Sequence, residues 1–437
     1  MEYERILSKY GYAELRIERS EESFVRIKDE EIKHLAGLSE GMSVRVLKNG
    51  SWGFASSNVV NRKKLEDLLK KAERLTELRK GSIELKLPKP EKKRIKEKTE
   101  AVDSEEKVKR LVNASKKMKE KNIISRMVVC NDVVITKEFY SSLGADINQE
   151  IAYTYLSCLA IAKSAETIQR GSERAWSKKG FGKLEISETA KNSKEKALRL
   201  LKAVLPPKGR FTVVLDPEMT GVFCHEAVGH ATEGDSVIDR ESVLANKKGQ
   251  KIGNQLVNIV DDPSAWDFGY YKYDDEGVEG KKTTIVEKGV LKHFLNSMET
   301  AKLLGSELNG HARADGYSEV PVVRMSNTYF QPGDSTVDEV FGIKDGIYLK
   351  GMKGGSVDIF SGGFMFKAEE AYDIKNGEKG KIMRDVTITG NILETLQNVE
   401  SVGKDFGTSP GLCGKFGQEM PVSDGGPHIR VKNITIG

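Results

Sequence analysis

Apolar positions recur with two different periods along the chain, and the period changes mark its elements. Over residues 59–80 (VVNRKKLEDLLKKAERLTELRK), Leu65, Leu68, Leu69 and Leu75 follow a helical period and Gly81 supplies a stop, which predicts an amphipathic helix. Just before it, MSVRVLKNGSWGFASS (43–56) alternates residue by residue on both sides of Asn49-Gly50. That pair tolerates the positive φ angles of a tight turn, so a hairpin is expected. Asp103-Ser-Glu-Glu106 has the form of a capping box and opens a helix to about Lys121. Residues 127–140 and 150–162 are rich in Val, Ile, Tyr and Thr and predict two long antiparallel strands joined through SLGADINQ. A helix over roughly 187–204 closes this half.

Two prolines and a glycine in LPPKGR (205–210) interrupt the periodicity, so we place a boundary there: an N-terminal domain over 1–205 and a C-terminal domain over 206–437. Two cores suit a chain of 437 residues. Beyond the boundary one helix is followed by short alternating runs between Gly-rich turns, at 283–294, 357–382 and 385–393. The order of elements gives an α+β fold class: two domains, antiparallel sheets with packed helices, and not the strand–helix alternation of a doubly wound sheet.

Composition narrows the function by exclusion. The 70 basic and 65 acidic side chains are interspersed, so no one-sided field marks a nucleic-acid binder. The basic run in LPKPEKKRIKEK (87–98) is broken by Glu91 and Glu97 and has no aromatics for base stacking, and it is expected to be a solvated connector. The charged N-terminus MEYERILSKYGYAELRIERS is unlike a signal peptide, and no apolar run approaches the ~18 residues of a membrane span, which predicts a cytoplasmic protein. The four cysteines (Cys130, Cys158, Cys224, Cys413) lack paired spacing and read as thiols or single ligands. The Lys/Glu-rich, Cys-poor composition matches that of thermophilic proteins.

GVFCHEAVGHATEGD (221–235) carries the candidate chemistry. Asp216, Pro217 and Glu218 after the run FTVVL have the form of a helix start, which puts His225, Glu226 and His230 on a helix. The two histidines are one residue further apart than the i,i+4 spacing of metal ligands, and on a regular helix they would diverge by about 140°. One π-type turn of ~4.4 residues brings them back to within about 50°. Gly229 is the expected place for that bulge, leaving the strip between the histidines open to Glu226. Such an arrangement would let Glu226 act as general base beside a metal. A core helix with one packed and one exposed histidine is the competing reading.

A catalytic zinc takes three protein ligands. Glu233, a turn after His230, the histidines His34, His293, His311 and His428, and the cysteines are all candidates for the third. Cys413 stands among glycines in SPGLCGKFGQ, expected as a loop able to approach the helix, while Cys224 suits a core position. The residues alone leave the choice open.

GVFCHEAVGHATEGD and GLCGKFGQEMPVSDGGP together resemble the TldD/PmbA family of metallopeptidases, in its metal-bearing TldD-like branch. Similar phrases lie between them in the same order: DDEGVEG (274–280), RMSNTYFQPG (324–333), GGSVDIFSGGFMFKAEEAY (354–372) and ETLQNVESVGKD (394–405). The resemblance covers the whole second half and, more loosely, the first. It implies that His225, His230 and Cys413 hold one zinc ion per chain, that Glu226 is the general base of peptide-bond hydrolysis, and that Glu233 supports a ligand or the helix end. A thiolate ligand favours zinc over magnesium or manganese. The resemblance further implies small, flexible or unfolded peptide substrates bound as an added strand, and a homodimer or a heterodimer with a PmbA-like subunit lacking the ligands. Asn327, Gly354, Gly355 and Asp358 are the candidates for the substrate groove, with ordinary turn and strand-end roles as the alternative. Two other functions share these residues: a peptide-binding scaffold with a structural zinc, and an amidase acting on a non-peptide amide.

Overall fold

The computed structural model describes residues 2–78, 80–97, 100 and 102–437. Arg79 at the end of the expected 59–80 helix and Lys98 at the end of the connector lie outside the described residues. After a short helix α1 (Glu2–Leu7), the first half forms one sheet of β1 (Tyr12–Lys28), β2 (Glu31–Lys48), β3 (Ser51–Ser57), β4 (Lys92–Ile95), β5 (Ile123–Ser141), β6 (Asp146–Lys163) and β7 (Ile168–Ser177). The order is β3-β2-β1-β5-β6-β4, with β7 also paired to β6. The β2–β3 turn has Asn49 at φ 53° and Gly50 at φ 69°, the left-handed pair that the Asn-Gly sequence predicts. Helices α2 (Arg62–Thr76), α3 (Ser104–Lys117) and α4 (Ile186–Leu200) pack their apolar faces on this sheet. Asp103 caps α3 by accepting from the backbone N–H groups of Glu105 and Glu106.

The basic connector is a structured edge. Lys92–Ile95 pairs in parallel with residues 146–149 of β6, so its charged side chains sit on an edge strand. Glu97 is buried, accepts from Ala152 N at 3.1 Å and lies 3.6 Å from the Lys178 ammonium. The connector expectation is corrected here: Lys92–Ile95 is a strand of the sheet, although Lys92, Lys93 and Arg94 keep their side chains exposed as expected.

The second half holds two larger sheets. In one, Asp345–Asp358, β8 (Gly209–Leu215), Ile429–Ile436, Thr387–Asn391 and Gly363–Lys375 are successive neighbours, and the pairing of the first with the last closes them into a small barrel. The other runs Val290–Leu291, Thr283–Glu287, Ile259–Asp261, Asn327–Phe330, Gln418–Gly426, Gly407–Lys415. Both are mainly antiparallel, with parallel exceptions between β8 and Asp345–Asp358 and between Asn327–Phe330 and Gln418–Gly426. One continuous apolar core underlies them and includes Cys224, Ala227, Val228 and Met325.

The DDEGVEG segment locks the first sheet to this half. Asp275 accepts from Lys137 Nζ at 2.9 Å, Glu276 from Arg45 at 2.9 Å, and Gln149 donates to Tyr273 O at 2.6 Å. Buried ions paired across such a contact fix relative position more than they add stability. Among the described residues no helix is long and apolar enough to cross a membrane.

Candidate active site and metal centre

α5 (Pro217–Phe223) starts where β8 ends. Asp216 caps it by accepting from Met219 N at 2.8 Å and also takes Gly351 N–H at 3.1 Å, tying the helix start to the neighbouring barrel strand. Despite these two donors, burial and the nearby Glu218 charge push the Asp216 carboxyl up to about 7. The helix continues as a π-helix over Cys224–Gly229, in which His230 N–H bonds to His225 O, five residues back. A 3-10 turn, His230–Thr232, ends it.

The extra residue between the histidines is thus absorbed in a π turn, and their ring centroids lie 5.1 Å apart at an interplanar angle of 89°. Gly229 contributes differently from the expectation. Its φ of −56° needs no glycine, and a Cβ there would lie 1.9 Å from Met325 Sδ. Its missing side chain admits Met325 from the core and does not open the strip between the histidines.

Cys413 comes from the Gly407–Lys415 strand, not from a loop, because the glycines around it pair in register with Gln418–Gly426 to form a hairpin. Arg324, wholly buried, donates to the Cys413 carbonyl and to Gln418 O, holding this hairpin against the core. Cys413 Sγ lies 3.5 Å from His230 Nε2. The ligand atoms of His225, His230 and Cys413 all fall within 4.8 Å of one another, the one such trio of metal-ligating side chains found among the described residues.

His230 Nδ1 meets Glu233 Oε2 at 3.1 Å, and Lys415 Nζ bonds the same oxygen at 3.1 Å. Lys415 also bonds both Asp235 oxygens at 2.8 Å and Val323 O at 3.1 Å. Two residues after Cys413 on one strand, Lys415 links the hairpin to the acids that follow His230. Burial works to raise the Glu233 carboxyl, but His230 and Lys415 outweigh it and hold Glu233 below the ordinary range. In the same way burial opposes ionisation of Cys413, yet His225 and His230 bring its thiol down to about 5. Burial also disfavours charge on His225, which the Cys413 thiolate nonetheless raises to about 9.

Glu226 is about one-third exposed and its Oε2 stands 3.9 Å from His230 Nε2. It faces a cavity of about 550 Å3 with the trio at its base. Gly354 and Gly355 line this cavity, but Asn327 and Asp358 do not. Asn327 is buried, with its amide donating to Asp262 O at 2.8 Å and accepting from Gly269 N at 2.9 Å. Asp358 closes a hairpin turn, accepting from Phe360 N at 3.0 Å and Ser361 Oγ at 2.6 Å. Cys224 is buried in the core. His311 is bound to Asp261 and Asn309, His428 to Asp405, and His34 and His293 are exposed.

Family models match residues 13–77 as PmbA/TldA metallopeptidase domain 1, 97–201 as its central domain and 208–437 as its C-terminal domain. The chain belongs to the PmbA/TldD family of metallopeptidases. A metalloprotease of Methanocaldococcus jannaschii is 41% identical over 98% of this chain and 97% of its own length. A protein of Saccharolobus solfataricus named zinc metalloprotease TldD homolog is 33% identical over 98% and 96%. The crystal structure of TldE from Thermococcus kodakarensis superposes with a TM-score of 0.80 at 22% identity, covering 100% of this chain and 99% of that one, and so shares the fold. Family membership supports a general metallopeptidase function.

The residues fit a zinc ion on the structure's own terms. A tetrahedral ion ~2.3 Å from sulfur and ~2.0–2.1 Å from nitrogen separates those two atoms by about 3.6 Å. Cys413 Sγ and His230 Nε2 are 3.5 Å apart. His230 carries a carboxylate on its other ring nitrogen, the arrangement that fixes the orientation of a ligating imidazole. Lys415 and three residues that line the cavity, Arg174, Glu218 and Asp424, gave no signal in the sequence beyond their local roles. Lys415 could have been found from its i,i+2 relation to Cys413, which puts both on one strand face. Arg174 sits on β7, a strand that the pattern did not predict.

Proposed function

We propose that this chain is a zinc metallopeptidase that hydrolyses peptide bonds in small, flexible or unfolded peptides, with its chemistry in the 206–437 domain and the 1–205 domain forming a wall of the substrate site. The convergence of His225, His230 and Cys413 beside an uncommitted Glu226 carries this reading. The residues that would hold zinc are those three, one ion per chain. When bound, zinc supplies Lewis acidity, which makes water nucleophilic near neutral pH and polarises a carbonyl. Three protein ligands, with no fourth in the cluster among the described residues, favour a catalytic over a structural site.

The chain's own residues do the rest. Glu226 takes a proton from the attacking water and delivers it to the leaving nitrogen as the C–N bond breaks. Glu233 and Lys415 hold His230 in place throughout. Two strands flank the cavity: β7 pairs with β6, and Gly407–Lys415 pairs with Gln418–Gly426. Among the described residues neither has a second partner in its sheet, so each offers free backbone groups to an extended peptide. Recognition through backbone suits substrates of many sequences, and the proposal includes assembly as a homodimer or with a PmbA-like subunit lacking the ligands.

Glu226→Gln tests the assignment. The variant should keep zinc and peptide binding and lose cleavage by about 100-fold or more, given what a general base contributes. Unchanged cleavage would remove Glu226 as the base.

A further inference from the structure

We infer that Asp424 seats the free α-ammonium group of the substrate, so that the site works as an aminopeptidase on peptides with an unblocked N-terminus. The inference rests on the zinc-peptidase reading and adds the substrate class. Asp424, on the Gln418–Gly426 strand, lines the same cavity as His225 and Glu226. Its Oδ1 atom is buried without a hydrogen-bond partner. Buried carboxylates are held by hydrogen bonds or countercharges, and one left bare inside a binding cavity marks the place of a cation that arrives with the ligand.

Two further observations give the direction. Arg174 from β7 and Glu218 from α5 form an ion pair of 2.8 Å, and both residues line this cavity and an adjoining one of about 520 Å3. The pair is a crossbar between the two spaces and bounds the one containing the trio. Two of the cations around that bounded space are held by acids, Arg174 by Glu218 and Lys353 by Asp385 at 3.3 Å, while Arg170 is exposed and donates to Lys353 O at 2.7 Å. A peptide carboxylate inside this space would face the acids Glu226 and Asp424, whereas an ammonium group meets Asp424. The terminus that fits beside the trio is therefore the amino end.

Penta-alanine and N-acetyl-penta-alanine are the probes, used with the zinc-loaded full chain. The free peptide should have the larger kcat/KM by about 10- to 100-fold, the range of a charge-assisted hydrogen bond. Asp424→Asn should bring the two peptides to within about twofold of each other while zinc content stays unchanged. A binding readout independent of turnover is the zinc-loaded Glu226→Gln protein, which should bind free penta-alanine about tenfold more tightly than its acetylated form. Equal cleavage and equal binding of the two peptides would overturn the inference with the peptidase reading intact. Loss of zinc in Asp424→Asn would also overturn it, by making Asp424 a support for His225. Cleavage of neither peptide would remove both readings.

Discussion

Glu233→Gln removes one charge from the shell around His230 and leaves its shape. In the native chain Glu233 Oε2 receives His230 Nδ1 and Lys415 Nζ, each at 3.1 Å, in a fully buried setting. The amide oxygen of the substituted side chain can still accept from the imidazole, but it no longer offsets charge drawn onto that ring when its other nitrogen binds a cation. Loss of such a support weakens metal binding by about 10- to 100-fold, or ~1.4–2.7 kcal/mol. Because one hydrogen bond survives, Glu233→Gln should fall near tenfold and Glu233→Ala nearer 100-fold. Lys415 keeps both Asp235 bonds, so the hairpin stays docked and the fold should persist. Zinc affinity is read by competition with a chromophoric chelator at neutral pH, with circular dichroism as the control for folding. Affinities within twofold of the native protein in both variants would refute the role given to Glu233.

Cys413 and Gly229 give two further tests. With its thiol down at about 5 against an ordinary 9.0, metal-free Cys413 should be alkylated by iodoacetamide at a rate that rises through about pH 5 and is then flat, and a rate still climbing towards pH 9 would refute the thiolate. A folded-state value below the unfolded one means that the thiolate's contribution to stability is full above the unfolded value and lost as pH falls through about 5. His225, raised to about 9, contributes fully below its unfolded value and loses that contribution as pH rises through about 9, so metal-free protein should be destabilised at both ends of this window. Gly229→Ala drives a Cβ to 1.9 Å from buried Met325 Sδ and should cost about 1–3 kcal/mol in urea unfolding, while an unchanged midpoint would contradict the tight packing of the π turn.

The sequence was most legible where one face of an element is buried and the other wet. The 59–80 helix, the Asn49-Gly50 hairpin and the pair of long strands over 127–162 follow directly from period and turn chemistry. β1 escaped because its middle, RIERSEESF, carries charges on both faces, and these are tolerated where β2 and β5 pair its backbone while leaving its side chains half-exposed. The same property hid β7, whose arginine and glutamate side chains face the cavity and its ion pairs and not an apolar core. At the site, the spacing of His225 and His230 pointed to a π turn because helical geometry allows few alternatives. Asn327 was misplaced for the opposite reason: a polar residue in a short strand reads the same whether it lines a groove or, as here, ties Asp262 to Gly269. Contacts between segments hundreds of residues apart, such as Lys415 with Glu233, have no local signature.

Elemental zinc content of untagged protein prepared without chelator, measured beside Cys413→Ala, is the most direct test of the account. It predicts about one zinc per native chain, lost or greatly weakened in the variant, because the π turn and the hairpin supply one site between them. Native protein that is metal-free and takes up no added zinc would contradict it, leaving two histidines and a cysteine that meet without holding an ion.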